Sequence, residues 1–269
     1  DFERFDLEKK DGGLKSVAVD VGGGLIFVNL DPRSCLRLRE WIGEELAAGM
    51  DATVVARATH ISEYVYEIGA NWKLTYDNFQ ENYHLRFIHP KSGLPVLGKD
   101  NPYGYPVRYA FHGLHRTQTI WSNPEPQIMP TQALTFGRAM GFAMKDGVDF
   151  GDNTKQYFAL FPSLFTFGSA VQPFTHMVYP ISATRSRGVI RLYWLGADDS
   201  ASKRFAREYM MAATRDIHVE DRSVIEAGQK GLSSGALSHI HFQEHEVLCR
   251  HLMHSVAAQA EAYQAECGQ

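Results

Sequence analysis

The sequence predicts an α+β fold, an antiparallel β-sheet packed against its helices. Three observations carry this. Residues 105–112, 157–168, 173–180 and 188–196 are dense in aromatic and branched side chains, the composition of pleated, half-buried strands. Residues 202 to about 231 and 242 to about 265 have helical periodicity. No strand–helix–strand alternation of the kind that builds a parallel sheet appears between them.

Taken in chain order, residues 16–21 and 25–30 are apolar runs around Gly22, Gly23 and Gly24, which predicts a hairpin on a glycine turn. Residues 34–48 place Leu36, Leu38, Trp41, Ile42 and Leu46 at roughly helical spacing, with Gly49 following as a C-cap. The β-like stretch SEYVYEIG leads into a helix-compatible segment over 71–85, and a loop containing proline, glycine and lysine runs from 89 to about 105. Residues 122–155 are irregular, apolar in patches and punctuated by proline, suited to covering a pocket. No repeat, low-complexity tract or linker divides the 269 residues, so a single domain over 1–269 is expected.

Composition narrows the function classes. Hydrophobic content of 44% with 22% charged residues is that of a folded globular protein. A net charge of -4 gives no general attraction to phosphate backbones or anionic lipid, so neither nucleic acid nor a membrane surface is an expected partner. Cys35, Cys249 and Cys267 are far apart and form no CxxC pair, which fits a reducing cytoplasm. No run of about 18 apolar residues is present, and the opening DFERFDLEKKDGG has no signal-peptide core. That charged leader runs directly into SVAVDV without an initiating Met, as in a fragment or a processed polypeptide.

The densest chemical signal is NWKLTYDNFQENYHLRFIHP, residues 71–90, which sets His84 and His89 beside Asp77, Asn78, Glu81 and Tyr83. Neutral imidazole donates a lone pair to iron, zinc or copper. Residues five apart lie about 140° apart on a regular helix, so convergence requires a distorted or ending helix, and Pro90 supplies an ending. Two histidines with a distant carboxylate would form a facial triad holding ferrous iron with open positions for dioxygen and substrate. HVEDRSVIEAGQKGLSS offers Glu220, Asp221, Glu226 and Gln229 on one amphipathic helix, and spacing does not choose among them.

Residues 71–90 resemble the iron-binding segment of Rieske non-haem iron oxygenase large subunits, the aromatic-ring-hydroxylating dioxygenases: NWK, then DN or EN, an acid, Tyr-His, four residues and His-Pro. GGGLIFVNLDP resembles the segment that follows the family's Rieske domain, and EDRSVIEAGQKGLSS its third-ligand pattern. The resemblance covers essentially the whole chain and implies a helix-grip, START-like catalytic domain with the iron site on helices. It implies Fe(2+) ligation by His84, His89 and Asp221, with Glu220 and Asp216 as the register alternatives to Asp221. It implies that Glu81 bridges to the Rieske cluster of a neighbouring subunit in a homotrimer, and that Asn78 and Tyr83 stand close to the iron. A small-molecule substrate, dioxygen and a reductase or ferredoxin electron donor follow as partners.

One element of that family is missing. Its [2Fe–2S] cluster needs a CxH and a later CxxH, whereas the CxH at Cys249 and His251 lies in the last expected helix with no CxxH after it. The cluster is therefore expected on a missing N-terminal segment or another chain, and this chain alone should be nearly idle. The resemblance implies oxygen insertion into an apolar or aromatic molecule, ring hydroxylation first and oxidative demethylation of a quaternary amine as the alternative. Phe79, Phe111, Trp121, Phe136, Phe142 and Phe165 are wall candidates by composition. Competing readings are a non-catalytic hydrophobic-ligand module and a zinc hydrolase on the same ligands. SHIHFQEH, with His239, His241, Glu244 and His245, could imitate a zinc site, His241 and His245 sharing a helical face, but it lacks HExxH order.

Overall fold

The computed structural model describes Arg4 and residues 12–90, 96–126, 128–147, 155–168, 173–196 and 199–268. Strands β1 (Ala18–Gly22) and β2 (Leu25–Asn29) form the expected antiparallel hairpin. Its turn residues Gly23 and Gly24 have φ of 57° and 77°, the left-handed backbone that a two-residue turn demands and glycine supplies without a Cβ penalty.

The expected helix over 34–48 is two helices, α1 (Leu38–Ile42) and α2 (Glu44–Asp51), broken at Gly43 with φ 84°. Leu38, Ile42, Leu46 and Met50 nonetheless keep a four-residue spacing and bury one apolar stripe against Phe158 and Leu160. Gly49 is not the C-cap. It lies inside α2, where a Cβ would come within 2.7 Å of Phe158 Cε1, so packing against the sheet is what selects glycine there.

The main sheet is formed by β3 (His60–Ile68), β4 (Arg108–His112), β5 (His115–Ile120), β6 (Lys155–Leu160), β7 (Leu164–Phe167), β8 (Phe174–Ser182) and β9 (Arg185–Trp194). Their order is β3-β9-β8-β7-β6-β5-β4, antiparallel throughout. Between β3 and β4 lie α3 (Trp72–Asp77) and α4 (Leu85–Ile88); α5 (Pro130–Lys145) precedes β6, and α6 (Ala201–Ser233) and α7 (Val247–Cys267) close the chain. The α+β reading therefore holds, with α6 laid along β3 and β9: Ile190, Leu192 and Trp194 on one face of β9 join Tyr66, Ile68, Met210 and Ile225 in one core. Alternation sends Val189, Arg191 and Tyr193 to the other face, where they line a cleft of about 1110 Å³ under the β1–β2 hairpin. A third core cluster joins Tyr76 of α3 to Phe165, Val178 and Leu252 of α7.

Four further expectations need correction. The stretch 157–168 is two strands, because Pro162 sits in the turn between β6 and β7 and cannot donate to a ladder. Strand β5, HRTQTI, was not expected; it is polar, yet buried almost throughout. Helix α5 occupies part of the segment expected to be irregular, starting with a proline in its first turn, where a missing N–H costs nothing. The helix expected over 71–85 ends at Asp77.

Candidate metal centre

The turn between α3 and α4 is organised by one carboxylate. Glu81 accepts hydrogen bonds from the backbone N–H of Tyr83 and, at 3.1 Å, from that of His84, and a third from His84 Nδ1. It holds both the chain and the imidazole. Helix α4 is a single turn, capped by His84 at one end and His89 at the other, with Pro90 following. This is how residues five apart converge: their ring centroids are 5.3 Å apart. Asp221 comes from α6, 2% exposed, its Oδ1 2.7 Å from His89 Nε2 and 3.6 Å from His84 Nε2. One ligand atom from each of His84, His89 and Asp221 lies within 4.8 Å of the others.

The adjacent acid has a separate role. Glu220 Oε2 accepts a hydrogen bond from His89 Nδ1 at 2.6 Å. Neighbouring residues on a helix point about 100° apart, so Glu220 and Asp221 reach His89 from its two ring nitrogens. Both imidazoles thus carry an acid at Nδ1, which fixes the tautomer and turns each Nε2 toward Asp221. Burial pushes the His89 pKa down, but Asp221 and then Glu220 outweigh it and hold the group above its ordinary value. A metal ion must therefore displace a well-held proton.

The remaining acids and amides of α6 are structural. Gly69 N–H donates to Glu226 Oε1 at 3.0 Å and Asn71 N–H to Gln229 Oε1 at 2.8 Å, so these side chains tie α6 to the start of α3. Asp216 is exposed. Asn78 is the half-buried C-cap of α3 and makes no hydrogen bond to the triad among the described residues. The Tyr83 ring packs against Phe87, Tyr103 and His245, 4.7 Å from the last.

The rival histidine cluster does not assemble. Residues 238–246 precede α7 instead of forming its first turns, so His241 and His245 share no helical face. His239 and His241 are exposed, whereas His245 is buried between Tyr83 and Tyr105. Of the wall candidates, Phe79 and Phe165 lie together inside, 5.8 Å between centroids. Phe111 is exposed and stacks on His251, Phe136 is exposed, Phe142 of α5 lies under Lys203 of α6, and Trp121 packs against Gly98. Sequence reasoning missed Tyr66, His176 and His218, a buried polar group beside Phe79. Residues so far apart in the chain leave no spacing signal.

Residues 55–262, more than half of the chain, match the family described as ring hydroxylating alpha subunit, catalytic domain. The oxygenase subunit of glycine betaine monooxygenase from Chromohalobacter salexigens is 34% identical over 143 residues, 51% of this chain and 29% of that protein. The α subunit of 2-aminobenzenesulfonate 2,3-dioxygenase from an Alcaligenes species is 34% identical over 94 residues, 34% of this chain and 23% of that one. The solved structure of CntA, a quaternary ammonium Rieske monooxygenase, superposes with a TM-score of 0.70 at 17% identity over 94% of this chain and 64% of that one; this similarity speaks to fold. The matched segments thus span less than a third of each of these two relatives.

Proposed function

We infer the function from the premise that this chain belongs to the family of ring-hydroxylating α subunits, the Rieske-type oxygenases, as a catalytic domain. His84, His89 and Asp221 hold one ferrous ion, and the domain inserts oxygen from O2 into a small apolar or aromatic molecule. The observation that carries this is the donor set: one nitrogen from each imidazole and one carboxylate oxygen within 4.8 Å of one another, each imidazole oriented by a second acid. Two imidazoles and a carboxylate fit iron with open coordination positions; closed structural zinc sites take four protein ligands. Bound there, the ferrous ion would supply dioxygen activation, with electrons from an external donor.

The chain's own residues do the rest. Glu81 and Glu220 hold the Nδ1 protons and keep both Nε2 lone pairs turned inward. His89 and Asp221 are sealed from water at 1% and 3% side-chain exposure, while His84 retains 17% and Glu81 10%. The Glu81–His84 pair and the Glu220–His89 pair, whose Glu220 is 48% exposed, both reach the ligands from outside, and the family resemblance is what supports Glu81 as the bridge to a Rieske cluster carried on another segment or chain. Tyr83 donates its backbone N–H to Glu81, and the resemblance is what supports Asn78 as a residue near the iron. A homotrimer with a reductase or ferredoxin donor completes the reading.

The second reading, oxidation of a quaternary amine, is favoured by the longer of the two sequence relatives, which its name assigns to glycine betaine. Incubation with ¹⁸O2, a Rieske partner and an electron source tests both. An ¹⁸O-labelled ring hydroxyl supports the first, and formaldehyde released from glycine betaine supports the second. Product formed without O2, with oxygen from water, would mean a hydrolase and overturn both.

A further inference from the structure

We propose that His176 and His218 form a pair of N–H donors that bind an oxygen acceptor on the substrate, a carboxylate, sulfonate or carbonyl, so that the substrate is not a bare hydrocarbon. This rests on the oxygenase reading and names the substrate class of the same site. His176 on β8 is fully buried and His218 on α6 is 1% exposed, three residues before Asp221 on the same buried face. Both rings pack on Tyr66, His218 at 3.7 Å and His176 at 5.8 Å between centroids, and His176 also meets Phe79 at 4.4 Å. The pair thus lies in the sheet–helix interface on either side of Tyr66, with His218 one turn of α6 from Asp221.

Each imidazole uses one nitrogen and leaves the other unpartnered among the described residues. Tyr66 Oη lies 2.6 Å from His176 Nε2 and Tyr64 Oη 3.5 Å from His218 Nδ1, while His176 Nδ1 and His218 Nε2 have no hydrogen-bond partner. Burial holds both rings neutral, pushing His176 down to about 3 and His218 to about 4. Burial also raises the Tyr66 pKa, so its phenol stays protonated. The phenol is the better donor and the imidazole lone pair the better acceptor, so Tyr66 donates to Nε2 and the His176 proton resides on Nδ1. The same argument puts the His218 proton on Nε2. The unpaired atoms are therefore donors, and buried donors without an acceptor are the exception in folded proteins.

The arrangement is built at a cost elsewhere. Tyr66 on β3 reaches His176 on β8 only by lying across the intervening strand β9, at Gly188. A Cβ at Gly188 would come within 2.1 Å of Tyr66 Cζ and 2.3 Å of its Oη. A mid-strand glycine weakens a sheet, and here it provides the space that sets the His176 tautomer.

The test is equilibrium binding to the purified full chain, iron-loaded under argon, with two matched probe pairs: benzoate against toluene, and glycine betaine against ethyltrimethylammonium. In at least one pair the oxygen-bearing probe binds tenfold or more tightly. His176→Leu and His218→Leu abolish that preference, and His176→Gln, which keeps a donor, restores part of it. No preference in either pair, or a preference that survives both leucine variants, overturns the proposal. Iron content on the same samples reports separately on the triad: a chain that discriminates but holds no iron supports the donor pair and overturns the metal reading.

Discussion

Glu81 and Glu220 do for the two imidazoles what neither histidine can do alone. Each takes an Nδ1 proton and leaves Nε2 free to face Asp221. Removing such a support costs roughly 10–100-fold in metal affinity. Glu220→Gln should therefore weaken ferrous iron binding by about that factor without altering stoichiometry at saturation, read by competition with a chromophoric chelator. An unchanged affinity would mean that Glu220 only lies near His89. Gly188→Ala is the matching probe of the buried pair. Its new methyl collides with the Tyr66 ring, and overpacking of this kind costs about 1–3 kcal/mol, measurable as a lowered urea midpoint.

At the scale of elements, legibility followed the strength of each local pattern. The hairpin and α6 were readable because paired glycines and a long 3.6-residue period are strong signals. Helix α5 was not, because the residues it buries are Thr135, Ala139 and Ala143, too small to make a hydrophobic stripe. Strand β5 was hidden by burying Arg116, Thr117 and Gln118 among other polar groups, which defeats alternation. The site divides in the same way. His84, His89 and Asp221 came from the resemblance, whereas spacing alone left four candidates on α6; in the fold Asp221 lies beside both imidazoles, Glu220 meets His89 Nδ1, and Glu226 and Gln229 bond to the start of α3. The α2 contact gives a test at this scale. Phe158 is 2% exposed and packs on Leu46, Gly49 and Met50, so Phe158→Ala should destabilise by about 3–5 kcal/mol. A loss under about 1 kcal/mol would contradict that packing.

Across the whole molecule, burial of neutral histidines sets the acid response. His115, His176 and His218 are pushed down to about 4, 3 and 4, while in the unfolded chain they titrate near 6.5. Between those limits the unfolded state binds more protons, so these groups' stability is present above about pH 6.5 and is lost as pH falls. His89 and Asp77, both raised, act in the opposite direction: their stabilisation is lost as pH rises through their folded values. His251 is lowered by burial as well, so four lowered histidines stand against two raised groups and leave a net decline. The metal-free chain should show a lower urea midpoint at pH 5.5 than at pH 7.5, and a higher one would mean that the histidines are not buried as described.

The central claim is that His84, His89 and Asp221 together hold a single ferrous ion. Its most direct test is elemental analysis after anaerobic reconstitution and gel filtration, for the unaltered chain and for His84→Ala, His89→Ala and Asp221→Ala, with circular dichroism as the check on folding. About one iron per chain in the first, and essentially none in the three folded variants, is the expected result for a facial triad. One iron per chain retained in His84→Ala and Asp221→Ala would contradict it.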